Sequence, residues 1–186
     1  MSETTTVPEM MATAFWNLFT RVPHDMISHM HTLRELSAKV DRCCELGVRY
    51  GMSSIAMIAG KPTSLASWDI QAYGMEPWVA AYAETMGVDW SHAIGDSRAI
   101  EIEPCDLLFI DTEHTYQQLT DELERHHKQV SRYIVLHDTE TYAYGPDGSK
   151  GLRDAQYEFR VAHPEWELES HTKGCHGLTV LSKKEG

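Results

Sequence analysis

The chain has 186 residues, of which 42% are hydrophobic and 24% are charged. These proportions are typical of a folded globular protein, so they exclude a fully disordered chain and a fibrous repeat. Lys and Arg number 16 against 28 Asp and Glu, which gives a formal net charge of −12. An acidic chain of this kind is poorly suited to nucleic acid or to an anionic membrane surface, and it favours cationic ligands.

The cysteines and the N-terminal segment indicate the cellular compartment. Cys43, Cys44, Cys105 and Cys175 form neither an evenly spaced disulfide framework nor a CxxC pair, so we expect reduced thiols that are mostly buried. The first residues lack the basic and apolar regions of a signal peptide. No apolar run approaches the roughly 18 residues that span a bilayer. These features predict a cytoplasmic protein.

Predicted helices and strands follow one another along the chain. Residues 9–38 have a helical pattern that is broken at Val22-Pro23, and they predict a helical extension over residues 1–38 that packs on a core domain over 39–186. The core strands are predicted at 40–47, 64–68, 90–94, 106–111, 132–137, 166–172 and 178–182. The core helices are predicted at 53–59, 77–86, 115–130 and 151–162. This alternation predicts an α/β fold, a parallel sheet with helices on both faces.

Polar residues stand at the predicted ends of five successive strands. They are Glu45, Asp69, Asp96, Asp111 and the pair His137-Asp138. Ligands of open α/β sheets bind beyond the carboxyl ends of the strands, where the strand order reverses. The sequence therefore predicts a ligand site at this edge of the sheet.

The turn after the first strand contains two glycines, Gly47 and Gly51, in the segment Glu-Leu-Gly-Val-Arg-Tyr-Gly. Gly47 allows a tight turn, and Gly51 allows the next helix to pack close to the strand. The middle glycine of a dinucleotide-binding GxGxxG motif is absent, and Arg49 and Tyr50 occupy its place. This counts against a nicotinamide-dependent dehydrogenase, which stays one of the alternatives.

Together with the downstream pattern, this turn resembles motif I of the class I S-adenosylmethionine-dependent methyltransferases. Segments 109–116, 134–139 and 177–181 resemble one branch of that superfamily, the cephalosporin-hydroxylase-like and macrocin O-methyltransferase-like group. The resemblance covers roughly residues 32–183. It implies a Rossmann-like three-layer sandwich with a mostly parallel seven-stranded sheet, in the order 3-2-1-4-5-7-6 with strand 7 antiparallel.

The resemblance also implies roles for individual residues. It assigns S-adenosylmethionine binding to Glu45, Gly47, Gly51, Ser53, Asp69, Asp96, Ser97 and Asp111. It assigns a divalent metal, Mg²⁺ or Mn²⁺, to Asp111, His137 and Asp138, and the role of general base to His114. His137 departs from the family pattern, which has a carboxylate or amide there, so a structural role for His137 stays open.

The predicted function is methyl transfer from S-adenosylmethionine to a hydroxyl of a small molecule or sugar, assisted by a divalent metal. An alternative is a protein that keeps the S-adenosylmethionine cleft without transferring a methyl group. We expect no nucleic-acid or membrane partner, and a homo-oligomer is left open. The loop over 139–151, which is rich in glycine and tyrosine, follows the fifth strand, where a substrate lid would lie, and its role is left open. His126 and His127 are predicted to be solvated.

Overall fold

The computed structural model describes residues 7–21 and 23–184. Its helices are α1 (Val7–Phe19), α2 (Met30–Ser37), α3 (Met52–Ile58), α4 (Glu76–Met86), α5 (Tyr116–His126) and α6 (Leu152–Ala162), with a 3-10 turn at His127–Gln129. Its strands are β1 (Arg42–Leu46), β2 (Ser64–Asp69), β3 (Asp89–Ile94), β4 (Cys105–Ile110), β5 (Val130–His137), β6 (Trp166–Thr172) and β7 (Leu178–Lys183). Residues 1–6 of the predicted extension, and Val22 at its predicted break, lie outside the described residues.

The strands form one sheet in the order β3-β2-β1-β4-β5-β7-β6, as predicted. Strands β1 to β5 pair in parallel, whereas β7 pairs antiparallel with both β5 and β6. The register of β1 and β4 places Leu46 beside Ile110, so both strands end at the same edge of the sheet. The order reverses between β1 and β4, which is where an open α/β sheet offers a crevice for a ligand.

Buried residues on the two faces of the sheet explain the three-layer architecture. In β4, Leu107 and Phe109 belong to one apolar cluster, while Leu108 and Ile110 belong to the cluster on the other face. A strand that is covered on both faces has a continuous apolar run rather than an alternating one. This is why the run between Asp106 and Asp111 predicted its strand correctly.

The junction before β5 differs from the prediction. The helix predicted over 115–130 ends at His126, and a 3-10 turn leads directly into β5 at Val130 rather than at residue 132. Val130 pairs with Cys105 at the start of β4, and its side chain is buried. Tertiary pairing with β4 therefore overrides the helical pattern of the last four residues.

The two N-terminal helices pack against α3 and α4. Phe15 of α1 stacks on Tyr82 of α4 with 5.1 Å between the ring centroids, and Met30 and Leu33 of α2 are fully buried. The division into an extension over 1–38 and a domain over 39–186 stays a prediction. No helix within 7–21 and 23–184 combines the length and the apolar character needed to cross a membrane.

The burial of three cysteines leads to a testable prediction about thiol reactivity. Cys43, Cys44 and Cys105 are at most 4% exposed, and burial raises the pKa of the Cys105 thiol to about 12. Only the thiolate reacts, so in the native protein we expect Ellman's reagent to titrate Cys175 alone. Unfolding in guanidinium should expose all four thiols. Native Cys175→Ser protein is the control and should give no signal, and more than one reactive native thiol would contradict the prediction.

Candidate functional site

The turn after β1 is shaped by Gly47, whose φ is +91°. Its N–H donates to the carbonyl of Trp68 at the end of β2, at 2.8 Å. A Cβ atom at this position would overlap with the backbone carbonyl of Asp111. Glycine is therefore required for two reasons, its left-handed conformation and the close approach of the turn to the end of β4.

Asp69 holds this turn in place. One oxygen, Oδ2, accepts the backbone N–H groups of Val48 at 2.8 Å and Arg49 at 3.0 Å. The other, Oδ1, accepts the N–H of Gln71 at 3.2 Å. Asp69 was predicted as a cofactor contact, and the structure places it at the wall of a cleft with both oxygens already bonded to the backbone.

Glu45, another predicted cofactor contact, is fully buried beneath the turn. Its carboxylate accepts hydrogen bonds from the hydroxyls of Ser53, Ser54 and Ser67 at 2.5 to 2.6 Å. Glu45 and Ser53 thus bind each other, and neither they nor Gly51 belong to the cleft wall. Glu45 points between β1 and α3, where it fixes the N-terminal end of the helix, and the assignment of Glu45, Gly51 and Ser53 to the cofactor stays a prediction.

Burial raises the pKa of Glu45 to about 7, even though the three hydroxyls favour its charged form. The unfolded carboxyl ionises near its ordinary value, so between about pH 4.5 and 7 the native state binds more protons than the unfolded state. The free energy of unfolding should therefore fall as pH rises through this window. Glu45→Gln removes the titrating carboxyl, so this fall in the free energy of unfolding should disappear. Urea unfolding at several pH values measures the difference. Glu169→Gln, at an exposed site on β6, is the control, and its free energy of unfolding should change with pH as that of wild type does. The prediction is contradicted if the free energy of unfolding of Glu45→Gln protein also changes with pH as that of wild type does.

A cleft of about 600 Å³ opens beyond the carboxyl ends of the strands. This volume is within the range of small-molecule sites. Seven of the predicted site residues line it: Gly47, Asp69, Asp96, Ser97, Asp111, His114 and Asp138. Aromatic rings from Trp68, Tyr73 and Tyr142 line it as well. The cleft thus combines several carboxylates with apolar surface, which suits a ligand that has a cationic and an aromatic part.

The ends of β4 and β5 bring four titratable side chains together, and we call Asp111, His114, His137 and Asp138 the acid–histidine cluster. His114 Nε2 lies 2.7 Å from Asp138 Oδ2 and 3.4 Å from Asp111 Oδ1. His137 Nδ1 lies 3.2 Å from Asp138 Oδ2 and 3.3 Å from Asp111 Oδ2. The three predicted metal ligands and the predicted base therefore form one group.

The pKa values in this cluster reflect mutual charge stabilisation. Burial opposes the charge on the imidazoles, but their bonds to the two carboxylates outweigh it and raise the pKa of His114 to about 9 and of His137 to about 10. Burial also opposes the charge on Asp138, yet the bonds from both imidazoles hold its pKa well below the usual range. Near neutral pH both imidazoles are thus protonated beside two ionised carboxylates, and a divalent cation could replace these protons.

His137 is oriented in a way that suits a metal ligand. Its Nε2 donates to the carbonyl of Cys175 at 3.1 Å, since a carbonyl can only accept. In the neutral ring Nδ1 then has a free lone pair, and this buried atom lies within 3.3 Å of a carboxylate oxygen from each of Asp111 and Asp138. A lone pair that faces carboxylates is stable only with a proton or a metal ion between them. The donor set therefore fits a divalent cation.

The loop between β6 and β7 holds His137 of the acid–histidine cluster through the carbonyl of Cys175. The carbonyl of Cys175 accepts a second hydrogen bond, from Nε2 of the fully buried His29, also at 3.1 Å. Cys175 and His176 both have positive φ, of 44° and 69°, and so does Asp138 at 60°. Non-glycine residues adopt this conformation at an energetic cost, and such residues concentrate at functional sites.

Sequence reasoning missed a buried acid next to the cleft. Glu122 of α5 is fully buried and accepts hydrogen bonds from Ser97, Thr112 and Gln118. It therefore joins the loop after β3 to the loop after β4. The spacing of Leu119 and Leu123 predicts the buried face of α5 and could have indicated Glu122, since residue 122 flanks that stripe.

Two histidines that were predicted to be solvated are buried instead. His126 is 1% exposed and its Nε2 donates to the carbonyl of Ser97, while His127 is 4% exposed. The prediction was wrong because α5 turns this part of its surface toward α6 and the loop after β3. In the cleft itself, Tyr142 stacks on His114 with 4.4 Å between the ring centroids.

Solved structures with the same architecture identify the fold. The O-methyltransferase from Bacillus cereus, in complex with S-adenosylhomocysteine, is 17% identical with a TM-score of 0.65, over 97% of this chain and 92% of that chain. TomG from Streptomyces achromogenes, an O-methyltransferase of tomaymycin synthesis in complex with S-adenosylmethionine, is 16% identical with a TM-score of 0.65, over 100% of this chain and 92% of that chain. This chain has the class I methyltransferase fold.

A putative caffeoyl-CoA O-methyltransferase from Staphylococcus aureus shares this methyltransferase fold, at 13% identity and a TM-score of 0.61, over 97% of this chain and 93% of that chain. No family model and no curated protein matches the sequence. The likeness therefore lies in the methyltransferase fold.

Proposed function

We propose that the protein transfers a methyl group from S-adenosylmethionine to a hydroxyl of a small molecule or sugar, with help from a divalent metal ion. One observation carries this proposal. The cleft of about 600 Å³ at the switch point of a methyltransferase fold is lined both by Gly47 of the turn after β1 and by three members of the acid–histidine cluster, Asp111, His114 and Asp138. Three reduced, buried cysteines support a cytoplasmic protein.

The cofactor would occupy the part of the cleft near β1, β2 and β3. Asp69, at the end of β2, offers its remaining lone pairs to vicinal ribose hydroxyls. Asp96, after β3, lies at the cleft wall and pairs with Arg98 at 3.3 Å. Asp111 also lines the cleft, where its carboxylate would favour a positively charged sulfonium.

Asp111, His137 and Asp138 would hold the metal ion. When bound, a divalent ion makes a nearby hydroxyl more acidic. His114 Nε2 would accept the hydroxyl proton, and for this it has to release Asp138, to which it is bonded at 2.7 Å. Tyr142, stacked on His114, would shield this end of the cleft from water.

Isothermal titration calorimetry with S-adenosylhomocysteine, with and without Mg²⁺ or Mn²⁺, tests the cofactor half of the proposal. We expect one molecule to bind per chain, and Asp69→Ala to weaken binding because both the glycine turn and the ribose contact are lost. Asp147→Ala, in the exposed loop before α6, is the matched control. A radiolabelled methyl donor offered with phenols, catechols and sugars then tests transfer. If no condition gives cofactor binding, the proposal is wrong.

The alternative without methyl transfer is favoured by one observation. His114 is held between two carboxylates, and its raised pKa of about 9 keeps its ring protonated near neutral pH. A ring in that state cannot accept a proton. Tight binding of S-adenosylhomocysteine together with no transfer to any hydroxyl, at any metal concentration, would support this alternative.

A further inference from the structure

The imidazole of His127 is buried, and one of its nitrogens makes no hydrogen bond with the part of the chain that the structure describes. His127 lies in the 3-10 turn that follows α5 and is only 4% exposed, and its buried Nε2 atom has no hydrogen-bond partner among residues 7–21 and 23–184. A buried polar atom that has lost its water and gained no partner costs free energy. A native structure tolerates such an atom where it serves another purpose, and binding a cation is one such purpose.

Two further ligand groups converge on His127. Three ligand atoms, one each from Glu124, His127 and His163, lie within 4.8 Å of one another. The rings of His127 and His163 are 4.1 Å apart between centroids, and Nε2 of His163 lies 3.0 Å from Oε1 of Glu124. Glu124 is exposed, so an ion has a path to this group from solvent.

The surroundings of the group resemble those of a histidine metal site. Oε1 of Glu165 lies 3.9 Å from the opposite nitrogen of His163, Nδ1, so a second carboxylate adds negative charge beside the group. The ring of Phe159 packs on both imidazoles, at 5.4 Å from His127 and 4.8 Å from His163. This apolar side lowers the local dielectric and strengthens the bond to a cation.

This group is separate from the acid–histidine cluster. Glu124 and His127 lie at the end of α5 and just before β5, and His163 lies between α6 and β6, so all three are at the edge where the parallel strands begin. The cluster lies at the other edge. The six residues of β4 span roughly 20 Å between the two edges.

We propose that Glu124, His127 and His163 form a second metal site, for Zn²⁺ or a similar borderline ion, remote from the cleft. Two imidazoles and one carboxylate suit Zn²⁺ and leave its fourth position to water, whereas Mg²⁺ prefers oxygen ligands only. The bound ion would connect the end of α5 to the segment between α6 and β6. Because the native state alone brings the three ligands together, binding stabilises the fold.

Zinc titration of the full chain tests the proposal. The parent is Asp111→Asn/Asp138→Asn protein stripped with a chelator, in which the acid–histidine cluster is disabled. We expect it to bind one equivalent of Zn²⁺ by calorimetry and to melt at a higher temperature with zinc. His163→Gln and Glu124→Gln should each weaken binding by at least about ten-fold, since even the loss of an outer-shell partner has an effect of that size. Asp121→Asn, on the same helix, is the matched control and should bind as the parent does.

A second measurement uses the wild-type chain, in which His163→Gln should lower the zinc stoichiometry by one. Co²⁺ bound at the site should give the visible absorption of a four-coordinate ion, and His163→Gln should abolish it. The proposal is overturned if the parent binds no zinc at one equivalent, or if Asp121→Asn weakens binding as much as Glu124→Gln does. None of these measurements involves S-adenosylmethionine or an acceptor, so their outcome is independent of the proposed function.

Discussion

Gly47→Ala protein is expected to be destabilised by about 3 kcal/mol or more and to bind no S-adenosylhomocysteine. The added Cβ would overlap with the backbone carbonyl of Asp111, and backbone at the end of a buried strand cannot move as a flexible side chain can. Residue 47 must also keep a φ of +91°, which an L-residue with a Cβ disfavours. Chemical denaturation measures the loss of stability, and calorimetry measures the loss of binding.

Gly148→Ala separates these two contributions. Gly148 has a φ of +80°, and a Cβ there would meet no atom within 4 Å. This variant should therefore show only the conformational cost, about 1 kcal/mol, and should bind the cofactor normally. If Gly47→Ala and Gly148→Ala lower the free energy of unfolding equally, the contact with Asp111 does not contribute to the destabilisation.

Asp138→Asn should reduce the affinity for Mn²⁺ at the acid–histidine cluster by at least about 100-fold, because loss of an outer-shell partner alone costs 10- to 100-fold. Asn tolerates the left-handed backbone of residue 138, so the variant is expected to fold. Binding can be followed by the electron paramagnetic resonance signal of free Mn²⁺ in the presence of S-adenosylhomocysteine. Asp147→Asn has the same charge change at an exposed turn and should bind Mn²⁺ as wild type does. If Asp138→Asn binds Mn²⁺ as tightly as wild type, Asp138 is not a metal ligand.

The sheet, and the edge of it at which the cleft opens, could be predicted because the sequence patterns that indicate them are local. The apolar run of β4 between Asp106 and Asp111 is characteristic of a strand that is buried on both faces. Parallel strands end at a common edge, so acids that follow successive strands had to meet there. The strand order came from the family resemblance and was confirmed.

The errors and omissions concern buried polar groups, whose partners are distant in sequence. Glu45 was assigned to the cofactor, which stays a prediction, and its hydrogen bond from Ser67, 22 residues away, was not foreseen. His126 was placed in solvent, but it binds the carbonyl of Ser97, 29 residues away. Periodicity along a helix or strand indicates which face is apolar, and it does not reveal a polar side chain whose hydrogen bonds are satisfied only by tertiary structure.

The position of β7 has a consequence for the kinetics of folding. β7 follows β6 along the chain but lies between β5 and β6 in the sheet, so β6 has no strand partner among the described residues until β7 has inserted. Until then the open edge of β5 can pair with another chain. The carbonyl of Cys175, immediately before β7, also reaches His137 only after this insertion. Refolding should therefore have a late step of long-range pairing, and it is at this step that aggregation competes with assembly of the ligand edge.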